Sequence, residues 1–382
     1  MSSISVNTIT DASGGSTTSI NGLTPTVSNM AGRNRIINGD MRIDQRNAGA
    51  SVTLGTSSSA YGADRFMVEQ GGVTANTGTV QQVSDAPTGF KKSIKYTGGS
   101  ATYNSQGFAA INQRIEGLNL ADSDYGTASA KQFTLSFWVK ASVTGTYSIN
   151  FTHYDGSNER WLLQTYIVDS ANTWEKKTIT INGDTAYSIP ADNGATGWMR
   201  VYWALGGDSN SMQGTVTGNW VAGSGSNRAV SGQVNVATTS GATFYITGVQ
   251  LEEGSVATPF EHRQYGQELA LCQRYYQKIS LNANPEFWGT GYWNTTTGVQ
   301  IYTPFITPMR AAPTALETSG VPSQYSVRYT GGRDSLSAGP TFGAATTFGI
   351  NIGATSSAAR TAGNGTIGTV EVATFLAWSA EL

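Results

Sequence analysis

The chain has 382 residues, with 23 Lys and Arg against 25 Asp and Glu, and only 13% of its residues are charged. That balance offers no basic surface to neutralise phosphates, so duplex nucleic acid is excluded as a partner. Membrane insertion is excluded too, because no apolar run approaches the roughly 20 residues of a spanning helix. A single cysteine, Cys272, rules out an internal disulfide framework and a multi-cysteine zinc site, and it suits synthesis in a reducing cytoplasm. The 46 Gly, 39 Ser and 49 Thr make up over a third of the chain. The remaining β-branched and aromatic residues favour strands over helices.

Residues 1–32 carry one charge, Asp11, and no aromatic. Such a segment cannot bury enough apolar area to fold alone. Its first residues lack the basic start and apolar core of a secretory leader. From 33 to 46 the pattern alternates. Ile37, Met41 and Ile43 fall on one face of a predicted strand, and Asp40, Arg42, Asp44 and Arg46 on the other.

Residues 50–257 read as many short strands. Phe133, Leu135, Phe137 and Val139 share a face; Tyr147, Ile149 and Phe151 form a second; Ile179 and Ile181 a third; Val201, Trp203 and Leu205 a fourth. Phe244 to Leu251 is apolar on both faces, as a central strand is. Asp155-Gly156, Asn182-Gly183, Asn193-Gly194 and Gly206-Gly207 supply turns between them. Thr258 and Pro259 then open a predicted helix with Glu261 in its first turn. On it Tyr265, Leu269, Cys272 and Tyr276 recur at spacings of 4, 3 and 4, a single stripe. The stripe packs on its own sandwich or forms a symmetric subunit contact, with Cys272 as a small buried hydrophobe. After 281 the chain is nearly uncharged. Prolines 304, 308, 313 and 322 break its first third, and the Gly-Ala-Thr-Ser runs between 338 and 368 read as tight turns between short strands or as a partly mobile loop.

The expected fold is therefore mainly β: an antiparallel β-sandwich or jelly roll over 33–257, a short helix and linker over 258–280, and a second small β-rich domain over 281–382, all preceded by the arm 1–32.

Candidate sites are few. Neither His153 nor His262 lies in a nucleophilic triad motif, and no phosphate-cradling glycine loop is present. Glu252 and Glu253 are neighbours on a strand, so they face opposite ways and do not form a glycosidase pair. No catalytic residue is assigned. Asp122 and Asp124 in NLADSDYG offer closely spaced oxygens for calcium, or simply form a polar turn. Trp288, Tyr292 and Trp293 crowd into EFWGTGYWN with Phe287, and Trp220 lies in TGNWVAGSG. These rings either fill a core or stand as platforms for sugar C–H faces.

NRIINGDMRIDQRN at 34–47, ADRF at 63–66, FTLSFWVK at 133–140, TWEKKTITI at 173–181 and GVQLEEGSVATPFEHRQYGQELALCQRYYQK at 248–278 resemble a module of tail fibre and other virion structural proteins of tailed bacteriophages. The resemblance covers residues 33–278. PMRAAPT at 308–314 and the terminal SAEL are also familiar from regions that follow it. The resemblance implies a β-sandwich, a virion location after assembly in the bacterial host cytoplasm, and a homotrimeric fibre. On this reading residues 1–32 anchor the chain to other virion proteins, and the C-terminal region faces outward and contacts a host surface polysaccharide or another virion protein. The resemblance supplies no catalytic residue. A head decoration or adaptor role is the alternative, with a polysaccharide depolymerase a distant third.

Overall fold

The computed structural model describes residues 32–56, 58–75, 77–282 and 286–382. The expected anchoring arm, Gly32 apart, lies outside the described residues. The chain divides into two units. The first holds the described residues up to Arg42 together with Gly49–Arg263, and the second holds Ile43–Ala48 together with Gln264–Leu382.

The first unit carries thirteen strands: β1 (Val52–Thr53), β2 (Ser59–Ala63), β3 (Phe66–Ala75), β4 (Thr79–Val83), β5 (Ser93–Thr97), β6 (Thr102–Glu116), β7 (Phe133–Ala141), β8 (Gly145–Asp155), β9 (Glu159–Val168), β10 (Glu175–Ile181), β11 (Gly197–Gly207), β12 (Val221–Ala222) and β13 (Thr243–Glu253). They form an antiparallel sandwich. One sheet has the order β1-β4-β5-β13-β7-β10, the other β12-β9-β8-β11-β6-β3-β2. The alternation at 133–139 does what its period dictates. Phe133, Leu135, Phe137 and Val139 are all fully buried. Phe137 reaches across to the other sheet, where its ring meets Trp203 edge-on at 5.6 Å and Tyr166 at 5.2 Å, a favoured aromatic geometry. The doubly apolar segment 244–251 lies in β13, which is central, between β5 and β7. β13 bulges between Thr247 and Gln250, where Gly248 takes φ +61° and a side chain would strike the Phe90 and Trp138 rings; only glycine suits that position.

Three expectations in this unit are corrected. Residues 33–46 form no strand. Asn38 and Met41 take positive φ, and amide side chains replace the ladder. Gln113 donates to Ile37 O and accepts from Ile37 N, both at 2.8 Å, while Gln82 Nε2 donates to Met41 O. The burial pattern survives, since Ile37, Met41 and Ile43 are all inside. Gly206-Gly207 ends β11 at an irregular register instead of making a turn. Finally, the sandwich does not stop at 257. Residues 258–263 stay extended because their polar groups are tied back to β13: Thr258 N and Oγ1 donate to Glu252, and Glu261 N donates to Gln250 Oε1.

The second unit opens with the helix α1 (Tyr265–Gln273), then β14 (Tyr276–Leu281), β15 (Phe287–Trp293), β16 (Gly298–Pro304), β17 (Glu317–Thr318), β18 (Tyr325–Tyr329), β19 (Gly332–Ala345), β20 (Gly349–Ser356), β21 (Gly365–Val370) and β22 (Thr374–Ser379). The helix is shorter than predicted and starts seven residues later than Thr258. Six strands close a barrel in the order β15-β16-β20-β19-β18-β21, and β14-β22-β17 make a small sheet. Most of the Gly-Ala-Thr-Ser stretch is strand, in β19, β20 and β21, and only 346–348 and 357–364 lie outside strands as turn and loop. β19 shifts register against β20 three times, and such bulges bend a small-residue strand around a barrel. Trp288, Trp293, Ile301, Tyr325, Ile352 and Trp378 fill the core. Residues 43–48 belong to this unit because Arg46 lies 3.7 Å over the Tyr276 ring and pairs with Glu381 at 3.3 Å. Among the described residues no helix is long and apolar enough to cross a membrane.

Candidate functional site

The structure sorts the sequence candidates sharply. Trp288 is 2% exposed and Trp293 0%. Trp288 Nε1 donates to Thr369 O at 2.9 Å inside the barrel. Trp220 is 6% exposed, and its Nε1 donates to Asn182 O. All three are core rings with no face for a sugar, which corrects the platform reading. Tyr292, at 50%, and Phe287, at 55%, are open.

The helical stripe does not exist as one face. Tyr276 lies on β14, and Cys272 and Tyr276 are buried within their own unit, so neither can meet another subunit. Leu269 is half-buried and Tyr265 exposed. The outer side of α1 borders a shallow depression of about 360 Å³ lined by Gln267, Ala270, Leu271, Arg274, Thr307 and Pro308. Asp122 is paired with Arg35 at 2.5 Å. Among the described residues no three or more His, Cys, Asp or Glu gather to hold a metal. Asp124 takes positive φ in this segment, as a turn residue does.

Two of the sequence motifs, those at 34–47 and 248–278, meet in one clasp. Asn34 Oδ1 accepts from Leu251 N at 3.1 Å. The Glu261 carboxylate accepts from Gly32 N and Asn34 N at 2.6 and 2.9 Å. Arg263 Nη1 donates to Ile36 O at 3.0 Å. Buried Glu252 takes Gln250 Nε2 at 2.8 Å besides its bonds from Thr258. Every polar group here is spent on holding chain to chain, as buried polar groups must be. The clasp is structural.

A second polar cluster lies in the sandwich interior. His153 on β8 is fully buried, and its Nε2 sits 3.0 Å from Asp184 Oδ2. Arg160 Nε donates to the same oxygen at 3.1 Å, and Ala186 N donates to Oδ1 at 2.9 Å. Tyr125 and Trp220 stand edge-on against the imidazole at 5.6 and 4.7 Å. Burial drives the His153 pKa below its ordinary value, although Asp184 opposes this. Burial would raise Asp184, but Ala186 N–H, His153 and Arg160 outweigh it and hold the carboxyl below the usual range. Buried apart from the edge of Arg160, this cluster braces the β8–β9 hairpin.

The open chemistry lies on the outer face of the seven-stranded sheet. Met199, Val201 and Trp203 of β11 point into the core, so Trp198, Arg200 and Tyr202 point out. Register sets Trp198 between Tyr154 and Glu116, and Arg200 between Thr152 and Arg114. Trp198 stacks on Tyr154 at 5.6 Å. The Arg114 and Arg200 guanidiniums lie 4.9 and 5.7 Å from the Trp198 ring. Arg200 bridges two carboxylates, Glu69 at 3.3 Å and Glu159 at 3.5 Å. Glu69 also accepts from Asn112 Nδ2 at 3.1 Å. Further along, Arg228 lies 3.8 Å over Phe108. The segment around Thr217–Val230 covers the far end of this face, hydrogen-bonding Leu163, Asn150 and Ser148. Tyr154, Trp198, Arg114, Glu69 and Glu159 are left partly exposed. Sequence reading missed these residues by following only the apolar half of β11. The other half of the same alternation, Trp198-Arg200-Tyr202, was the available signal.

No family model matches the chain, and no curated protein matches it. Solved structures do superpose in part. The enzymatically active domain of tailspike protein 4 from Bacteriophage CBA120 is 13% identical, with a TM-score of 0.32 over 58% of this chain and 21% of that one. The CBM22-1 xylan-binding domain of Paenibacillus barcinonensis is 12% identical, with a TM-score of 0.25 over 59% and 98%. The family 11 carbohydrate-binding module of a cellulosomal cellulase of Clostridium thermocellum is 12% identical, with a TM-score of 0.27 over 57% and 100%. Identities and scores this low carry no argument about function.

Proposed function

We propose that this chain is a virion structural protein of a tailed bacteriophage, a tail fibre subunit, that binds a host surface glycan without cleaving it. The observation that carries the binding role is the partly exposed patch of Tyr154, Trp198, Arg114, Glu69 and Glu159. Aromatic rings give sugar C–H faces an apolar surface, and planar charged groups pair with adjacent hydroxyls. Both kinds of group stand on strands, which fix them better than loops do. The virion assignment rests on the motifs at 34–47 and 248–278.

In this reading the contact moves from the C-terminal barrel to the sandwich, because the barrel tryptophans are core. Residues 1–32 anchor the chain to other virion proteins, and a homotrimer multiplies weak single-site contacts into avidity. Glu69 and Glu159 serve to hold Arg200, so no hydrolytic step is assigned to them. The test is retention of the labelled full-length chain on a panel of bacterial surface polysaccharides. Wild type is expected to bind at least one, Trp198→Ala to lose that binding, and reducing ends to stay constant. A chain that binds none of them is a purely structural component. A rise in reducing ends makes it a depolymerase.

A further inference from the structure

We infer that the glycan taken by this face is acidic, with carboxylate groups that dock on Arg114, beside Arg200, and on Arg228; the inference rests on the glycan reading above. Arg114 and Arg200 are directly opposed on β6 and β11. Like charges so placed repel, and a strand pair gains nothing by keeping them. Burial, and then the Arg200 charge, weaken the hold of Arg114 on its proton. Arg200 is compensated by Glu69 and Glu159. Arg114 feels both carboxylates only from a distance, and among the described residues none pairs with it directly. Its flat face leans on Trp198 and the residue is partly exposed, which leaves its terminal nitrogens, rather than the buried Nε, for an outside group.

Across Tyr202 the arrangement recurs. Arg228 lies over Phe108 and near Trp161. No carboxylate among the described residues pairs with it, and its Nε is likewise buried and unpartnered. Neutral hydroxyls pair with carboxylates as well as with guanidiniums, so a neutral glycan gives no reason for two cations without a directly paired carboxylate. A carboxylate does: its two oxygens match the guanidinium fork, and it neutralises the repulsion that the folded sheet otherwise tolerates. A sugar polymer with regularly spaced carboxylates can reach both arginines at once.

The experiment uses the full-length chain and a panel of neutral, uronate-containing and sulfated or phosphorylated bacterial polysaccharides. A bound uronate polymer is then carboxyl-reduced, which turns each carboxylate into a primary alcohol and keeps the linkages. Expected are binding confined to carboxylated polymers, at least a tenfold loss on carboxyl reduction, and the same loss for Arg114→Gln, whose affinity reduction no longer lowers. Equal binding of the reduced polymer, or preference for sulfated or phosphorylated ones, overturns the carboxylate assignment and leaves glycan binding standing. Absence of binding to every polymer removes both.

Discussion

Replacing Asp184 by Ala tests whether the buried polar cluster braces the sandwich. Asp184 is 4% exposed and accepts from His153, Arg160 and Ala186 N. Removing one partner of a buried ion pair costs about 3–5 kcal/mol, because the other charge stays behind uncompensated. The Arg160 side chain is 15% exposed and recovers some water, so the lower end, about 3 kcal/mol, is expected. For a unit of this size that is a fall in Tm of roughly 6–12 °C. Asp184→Asn keeps an acceptor for Ala186 N and loses the charge, so about half that shift is expected. Urea unfolding followed by tryptophan fluorescence and circular dichroism reads both. A cost below about 1 kcal/mol for the alanine variant refutes the bracing role. The pH dependence has a definite sign. His153 is held below its ordinary pKa of about 6.5, so the folded state binds fewer protons than the unfolded one as pH falls through that value, and stability drops. Asp184, also held low, adds a second loss below about pH 4. His153→Gln flattens the limb between pH 7 and 5; an unchanged limb contradicts the assignment.

Trp293→Ala removes a fully buried ring and is expected to destabilise the barrel by about 3–5 kcal/mol, whereas exposed Tyr292→Ala shifts denaturant midpoints by no more than about 0.5 kcal/mol. Equal effects refute the inside-outside assignment of β15. Cys272 is buried, so Ellman's reagent is expected to label it only after unfolding. Fast labelling of the native chain contradicts the packing of α1.

Much of the fold was legible because strand periodicity is a strong signal where one face is buried. β7, β8, β10 and β11 follow the alternation, and β13 is doubly apolar, as a central strand is. The failures share a cause: side-chain hydrogen bonds competing with the backbone. Asn34, Gln82 and Gln113 satisfy the backbone of 33–42 without a ladder, which no hydropathy pattern reveals. Glu252 and Gln250 likewise hold 258–263 extended, against the helical start that Pro259 and Glu261 suggested. In the barrel, glycine and alanine runs resemble loops until closure pairs every strand. As for the site, aromatic crowding pointed to Trp288 and Trp293, but the sequence around them alternates Trp288, Thr290, Tyr292 out of step with Trp293 and a register irregularity at Phe287–Gly289 turns both tryptophans inward. The exposed set on the sandwich draws on β3, β6, β8, β9 and β11. Their side-by-side placement depends on sheet order, which local pattern does not encode.

The central claim is that the outer face of the seven-stranded sheet is the binding surface. Calorimetric titration of the retained polysaccharide into the full-length wild type and into Trp198→Ala tests it most directly, with Tyr292→Ala alongside. The account predicts at least a tenfold loss of affinity for Trp198→Ala with unchanged unfolding, and no loss for Tyr292→Ala. Undiminished binding by Trp198→Ala, or loss confined to Tyr292→Ala, contradicts it.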